Sequence, residues 1–137
     1  MIEIADQFAI RDLITRYCYC LDQGRFADLA ALFAETGTWE AQYGAATGPA
    51  EIARFLAELV PATPKRRHFV TNVLIEQDEA GVAATSYYLV VRDSATGPMV
   101  SVAGTYHDRL VEVAKGDWRF AYRRLEPAIL GDLGLSR

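Results

Sequence analysis

The apolar positions change period along the chain, and the change divides it into two halves. Between Ile2 and Leu21, Ile10, Leu13, Ile14, Tyr17 and Leu21 stand 3, 4, 7 and 11 residues from the first of them. That spacing marks one face of a helix, and Gly24 is a natural stop. Phe26, Leu29, Ala30, Leu32 and Phe33 share a face of a second, shorter helix. Residues 37–43, GTWEAQY, read as a short strand. Gly48-Pro49 then opens a third helix, proline being suited to the first helical turn, with Ile52, Phe55, Leu56 and Leu59 on its buried face.

From His68 onward the period is two. Residues 68–77, 82–92, 99–113 and 118–126 are rich in β-branched and aromatic residues, and short Gly- and Asp-bearing turns separate them. In the last strand, strict alternation places Arg119, Ala121 and Arg123 on one face and Trp118, Phe120, Tyr122 and Arg124 on the other. Residues 128–137 are expected to be a mobile tail. Helices followed by neighbouring strands predict an α+β fold with an antiparallel, twisted sheet. A sheet curling over three helices encloses an apolar pocket, the default place for a site.

Composition narrows the class. A chain of 137 residues has the length of one domain, and 51% hydrophobic with 23% charged residues is ordinary for a soluble globular protein. The net charge of −4 argues against nucleic-acid binding. No apolar run approaches the roughly 18 residues needed to span a bilayer, and the acidic start MIEIADQF does not read as a signal peptide. A cytoplasmic protein with reduced thiols is expected, with no membrane partner.

The stretch RYCYCLDQG, residues 16–24, draws attention first to its cysteines. Cys18 and Cys20 lie about 200° apart around a helix and cannot jointly hold a metal or close a disulfide. No Cys/His set at zinc spacing occurs elsewhere, and no phosphate loop or nucleophile elbow is visible. No metal and no cofactor are expected. Tyr17 and Asp22 carry more interest. A carboxylate at a helix C-terminus sits at the wrong end of the dipole, which invites a functional reason. His68 is the residue type suited to moving protons near neutral pH.

The element order and several motifs resemble the NTF2-like superfamily, and within it the SnoaL-like branch of polyketide cyclases and dehydratases. The pieces are Ile10-Arg-Asp-Leu-Ile-Thr-Arg-Tyr17, Leu21-Asp22, Asp28-Leu-Ala-Ala-Leu-Phe33, Gly48, Arg67-His68-Phe-Val-Thr-Asn72, Gly104-Thr-Tyr106-His-Asp108-Arg-Leu110 and Trp118-Arg-Phe-Ala-Tyr-Arg123. The resemblance implies a cone of three N-terminal helices on a curved, mostly antiparallel sheet, in a single domain over residues 1–137. It also implies that Tyr17, Asp22 and His68 match the Tyr/Asp/His constellation of bile-acid dehydratases, with scytalone dehydratase using a related Asp–His pairing. Steroid isomerase chemistry fits poorly, since the aspartate of those enzymes falls on Ala41, beside Glu40. The Asp-Arg-Asp set of the superfamily's epoxide hydrolases has no match.

These residues predict a cofactor-independent lyase, in which Asp22 orients His68 and Tyr17 steadies an enolate or leaving hydroxyl. Arg123 is expected to reach the pocket and bind an anionic group. Trp39, Tyr43, Phe55, Tyr88 and Tyr106 are the expected aromatic wall, suited to a steroid, polyketide or other cyclic metabolite. A cyclase or isomerase would share the first proton abstraction. A non-catalytic binding domain stays open too, and predicts His68 and Asp22 too far apart to hydrogen-bond. A structural partner subunit is a third reading. His107 and Asp108 are expected at the sheet surface or a subunit contact. The resemblance implies a homodimer through the outer sheet face, where exposed Val and Tyr need covering.

Overall fold

A computed structural model describes residues 2–136. Helix α1 spans Ile4–Asp22, α2 Phe26–Ala30 and α3 Pro49–Leu59; the strands are β1 Phe33–Ala41, β2 Gly44–Thr47, β3 Arg66–Asp78, β4 Gly81–Arg92, β5 Met99–Ala114 and β6 Asp117–Leu130. They form one six-stranded sheet ordered β2-β1-β6-β5-β4-β3. All neighbours are antiparallel except β1 and β6, which run parallel. The result is an α+β fold with the helices packed on a curved, open, mixed sheet.

The helical stripe explains how α1 docks. Ile10, Leu13, Ile14, Tyr17 and Leu21 are all buried, and burying an aliphatic side chain of this size stabilises by roughly 1.5–3 kcal/mol. Ile52, Phe55, Leu56 and Leu59 do the same for α3. Two expectations change at the first strand. The second helix ends at Ala30, and Phe33 opens β1 instead of closing α2. The strand then turns at Gln42 and Tyr43 into β2, a short return strand that the pattern did not predict. The β1–β6 register shifts between Phe33 and Thr38, and at Gly37 within that stretch a Cβ would lie 2.7 Å from the Phe120 carbonyl oxygen. Only glycine lets β1 approach β6 so closely there.

A bulge decides the inner face of β6. Tyr122 pairs with Arg109 and Phe120 with Leu110, so Ala121 has no partner on β5. The extra residue shifts the alternation by one. Phe120 and Arg123, which strict alternation assigns to opposite faces, are therefore both wholly buried on the same face. A second shift lies in β3, where Asn72 takes a left-handed φ of 56° between the paired positions Thr71 and Leu74.

The last residues, expected as a tail over residues 128–137, make contacts with the rest of the fold. Strand β6 continues to Leu130, after which the chain folds back across the open end of the sheet. Gly131 donates to the Ser101 carbonyl (2.8 Å) and Ser136 to the Leu59 carbonyl (3.1 Å). Asp132 pairs with Arg92 at 2.9 Å, and Leu133 and Leu135 pack on the core. Two leucines with buried neighbours and main-chain partners give this segment contacts that composition alone did not suggest. Arg137 lies outside the described residues. No helix among the described residues is long and apolar enough to cross a membrane.

Candidate active site

The end of α1 and the start of β3 meet at one carboxylate. Asp22 accepts from the His68 main-chain N–H at 2.9 Å and from the ring Nδ1 at 2.6 Å. The last turn of α1 holds no basic side chain, so these two donors offset the unfavourable dipole at Asp22. A carboxylate only accepts, so this contact requires the proton on Nδ1; in the neutral tautomer that makes it, the lone pair lies on Nε2. The side chains of His68 and Asp22 are 9% and 8% exposed.

His68 lines a cavity between the helices and the sheet, together with Tyr17, Trp39, Tyr43, Tyr88 and Tyr106. Leu21, Leu56, Leu59, Val60, Val90, Val102, Leu125, Leu133 and Leu135 complete an apolar wall, and Arg66 and Ser101 add polar groups. The cavity encloses about 60 Å³. A cavity of ~150 Å³ is known to hold benzene, so a ring-sized ligand requires the walls to give. Leu133 and Leu135, on the returning tail, lie outside any helix or strand, as do Tyr43 and Val60.

Tyr17 points inward from the stripe of α1. Its hydroxyl oxygen accepts the Trp39 indole N–H at 2.8 Å, which satisfies the tryptophan and leaves the phenol proton free to be donated. Burial pushes the phenol up to about 12, against the opposing pull of the Arg123 charge and the Trp39 hydrogen bond. Tyr17 is therefore a neutral hydrogen-bond donor near neutral pH. Tyr88 and Tyr106 stack at 4.4 Å, and burial raises both of their phenols.

Two expected site residues lie elsewhere. Phe55 backs Trp39 at 5.5 Å between ring centroids and does not line the cavity. Arg123 lies beneath the cavity floor with no exposed surface. Its Nε and Nη2 donate to the two carboxylate oxygens of Asp108, each at 2.8 Å. Its guanidinium carbon sits 3.8 Å from the Tyr106 ring centre, 4.2 Å from that of Tyr17 and 4.4 Å from that of Phe120. Burial opposes the guanidinium's charge, but the charge and hydrogen bonds of Asp108 outweigh it and raise the pKa. Asp108 is accordingly a core residue, not the surface group its sequence position suggested. His107 does face outward, 3.0 Å from Glu126.

Arg66 and Ser101 are the polar lining residues that sequence reasoning missed. Arg66 carried a usable signal: it stands two residues before His68 on a strand, and alternate strand residues share a face. Cys18 and Cys20 are both buried free thiols. Among the described residues, no group of three or more His, Cys, Asp or Glu side chains is placed to hold a metal ion.

A model of the SnoaL-like domain matches residues 3–124. The chain belongs to the SnoaL-like family. Solved structures of similar fold include a protein from Catenulispora acidiphila in complex with S-DNPA. It is 29% identical, with a TM-score of 0.80 over 91% of this chain and 95% of that one. ActVI-ORFA from Streptomyces coelicolor is 26% identical, with a TM-score of 0.79 over 88% and 96% of the two chains. A putative scytalone dehydratase from Novosphingobium aromaticivorans is 25% identical, with a TM-score of 0.77 over 92% and 86%. No curated protein matches the chain.

Proposed function

We infer that this SnoaL-like protein is a cofactor-independent lyase of the dehydratase type, acting on a small cyclic, largely apolar hydroxy-carbonyl compound. The observation that carries the reading is the 2.6 Å contact of His68 Nδ1 with Asp22, on a histidine that lines an apolar cavity beside the Tyr17 hydroxyl. Nε2 takes the proton alpha to the substrate carbonyl, and the electron pair moves into an enolate. Tyr17 donates a hydrogen bond to the oxygen where charge develops. The enolate then reforms its carbonyl as the bond from the β-carbon to the hydroxyl breaks. The Nε2 proton returns to the leaving oxygen, which departs as water, and His68 is restored. The apolar wall keeps bulk water from quenching the enolate.

A cyclase or isomerase would use the same first step, and the family's similar structures include a putative scytalone dehydratase and a complex with a small molecule. The reading places the protein in the cytoplasm, consistent with two unpaired thiols. It also makes the protein a homodimer through the outer sheet face. There Phe69 stands opposite Leu89, Leu89 opposite Ala103 and Ala103 opposite Ile129, an apolar row across four strands. Phe69, Leu89 and Ile129 are 53%, 36% and 64% exposed.

The test is turnover of a cyclic β-hydroxy-ketone panel by native protein, His68→Ala and Asp22→Asn. Loss of a general acid–base group is expected to lower the rate by about 10²–10⁴-fold. Unchanged turnover in both variants would sink the mechanism. Tight binding of panel compounds without any turnover would favour a binding domain.

A further inference from the structure

Among the described residues three arginines are buried, and two of them have a carboxylate. Arg123 is held by Asp108 and Arg92 by Asp132. Arg66 is 7% exposed, yet no carboxylate oxygen among the described residues lies within ion-pairing range of it. Its two terminal nitrogens donate to neutral main-chain carbonyls, Pro61 at 2.9 Å and Gly134 at 3.1 Å. Its Nε has no hydrogen bond among the described residues. Carbonyls satisfy N–H groups but leave the net charge uncompensated, and a buried charge without a counter-charge is unfavourable. Burial accordingly lowers the guanidinium's pKa; the charge of Asp22 opposes this shift and that of Arg92 adds to it. Asp22 is already engaged by His68.

The position of Arg66 gives the missing charge a place to come from. Arg66 and His68 both line the cavity, two residues apart on one face of β3. The remaining cavity side chains are apolar, phenolic or hydroxylic, apart from His68. On its other side Arg66 borders an outer recess with Lys65, Arg67, Arg92 and Asp93; Arg92 is already paired with Asp132, and Lys65 and Arg67 leave the recess net positive.

We propose that the substrate carries a carboxylate, which Arg66 binds inside the cavity, making Arg66 a specificity residue that anchors the ring beside His68. The inference rests on the reading of this cavity as the substrate site. A carboxylate suits it because a guanidinium presents its donors as a planar fork, whose two terminal nitrogens now each donate to one carbonyl, of Pro61 and of Gly134. A purely structural Arg66, clamping Pro61 and Gly134, would affect stability without distinguishing acids from neutral isosteres.

The experiment compares 2-naphthoate with 2-naphthamide, and benzoate with benzamide as a smaller pair, by calorimetry or tryptophan fluorescence. Each acid is expected to bind the native protein about tenfold or more tighter than its amide, the worth of a charged hydrogen bond. Arg66→Met, shown to be folded by its melting curve, is expected to lose that preference, and Arg66→Lys to keep part of it. Equal binding of acid and amide to native protein would overturn the proposal. So would a preference that survives Arg66→Met, or no binding of either pair. If Arg66→Met does not fold, the native acid-to-amide ratio and Arg66→Lys decide. The proposed reaction is tested separately. Acid preference without His68-dependent turnover would remove the reaction and leave the anion site. Turnover of neutral substrates without acid preference would do the reverse.

Discussion

Replacing Asp108 by asparagine keeps its shape and removes its charge, at a place where neither partner touches solvent. Native Arg123 reaches Asp108 through two hydrogen bonds of 2.8 Å, and both side chains are 0% exposed. Its third nitrogen, Nη1, has no hydrogen-bond partner among the described residues. After Asp108→Asn the cation would retain one amide oxygen and three ring faces. Cation–π contacts of this kind are worth about 0.5–2 kcal/mol each, and they exist in the native protein already, so they compensate nothing new. Removing one partner of a buried pair costs about 3–5 kcal/mol, and the remaining amide oxygen puts the expected loss near the lower end. With a urea dependence of about 1–3 kcal/mol per molar, the unfolding midpoint falls by about 1–3 M. Equilibrium urea unfolding followed by far-ultraviolet circular dichroism measures it. The control is the double variant Arg123→Met with Asp108→Leu, which removes both charges and is expected within about 1 kcal/mol of native or above it. An unchanged midpoint in Asp108→Asn, or a double variant no better than the single one, would refute the argument. The rings would then hold Arg123 without needing the carboxylate.

Two further outcomes are expected. Gly104→Ala places a Cβ 2.8 Å from both Pro127 Cα and Tyr88 Cζ and against the Glu126 carbonyl oxygen. Because two of the three obstacles are backbone, overpacking costs about 1–3 kcal/mol, and thermal melting checks it; a melting point unchanged within error would show that β6 shifts freely. The buried phenols set alkaline behaviour. The Tyr17 pKa is raised in the fold from 10.0 to about 12, so its contribution to stability is complete below pH 10 and is lost as pH rises from 10 towards 12. Unfolding midpoints measured across that window should fall, and phenolate absorbance should show Tyr17, Tyr88 and Tyr106 ionising above the ordinary range.

The periodic parts of this molecule were legible in the chain because they are local. The stripe from Ile10 to Leu21 reads as one face of a helix at 3.6 residues per turn, and the structure buries all five residues. Strands β3 to β6, with their order and antiparallel pairing, followed equally from period two and short turns. The candidate pair Asp22 and His68 was nameable through motif resemblance, although no local rule links residues 46 positions apart.

Tertiary structure decided what depends on register and on meeting distant partners. A single unpaired residue, Ala121, brought Phe120 onto the buried face of Arg123, where Asp108, inward-facing with Tyr106 and Leu110 on β5, meets the guanidinium in the core. A bulge leaves no mark on hydrophobic alternation until the partner strand is placed. The parallel pairing of β1 with β6, the small return strand β2 and the packed tail likewise arise from elements far apart in sequence. The same holds for Arg66. Its position on the face of His68 was written in the strand period, but only the packed cavity shows that this arginine is buried without a carboxylate.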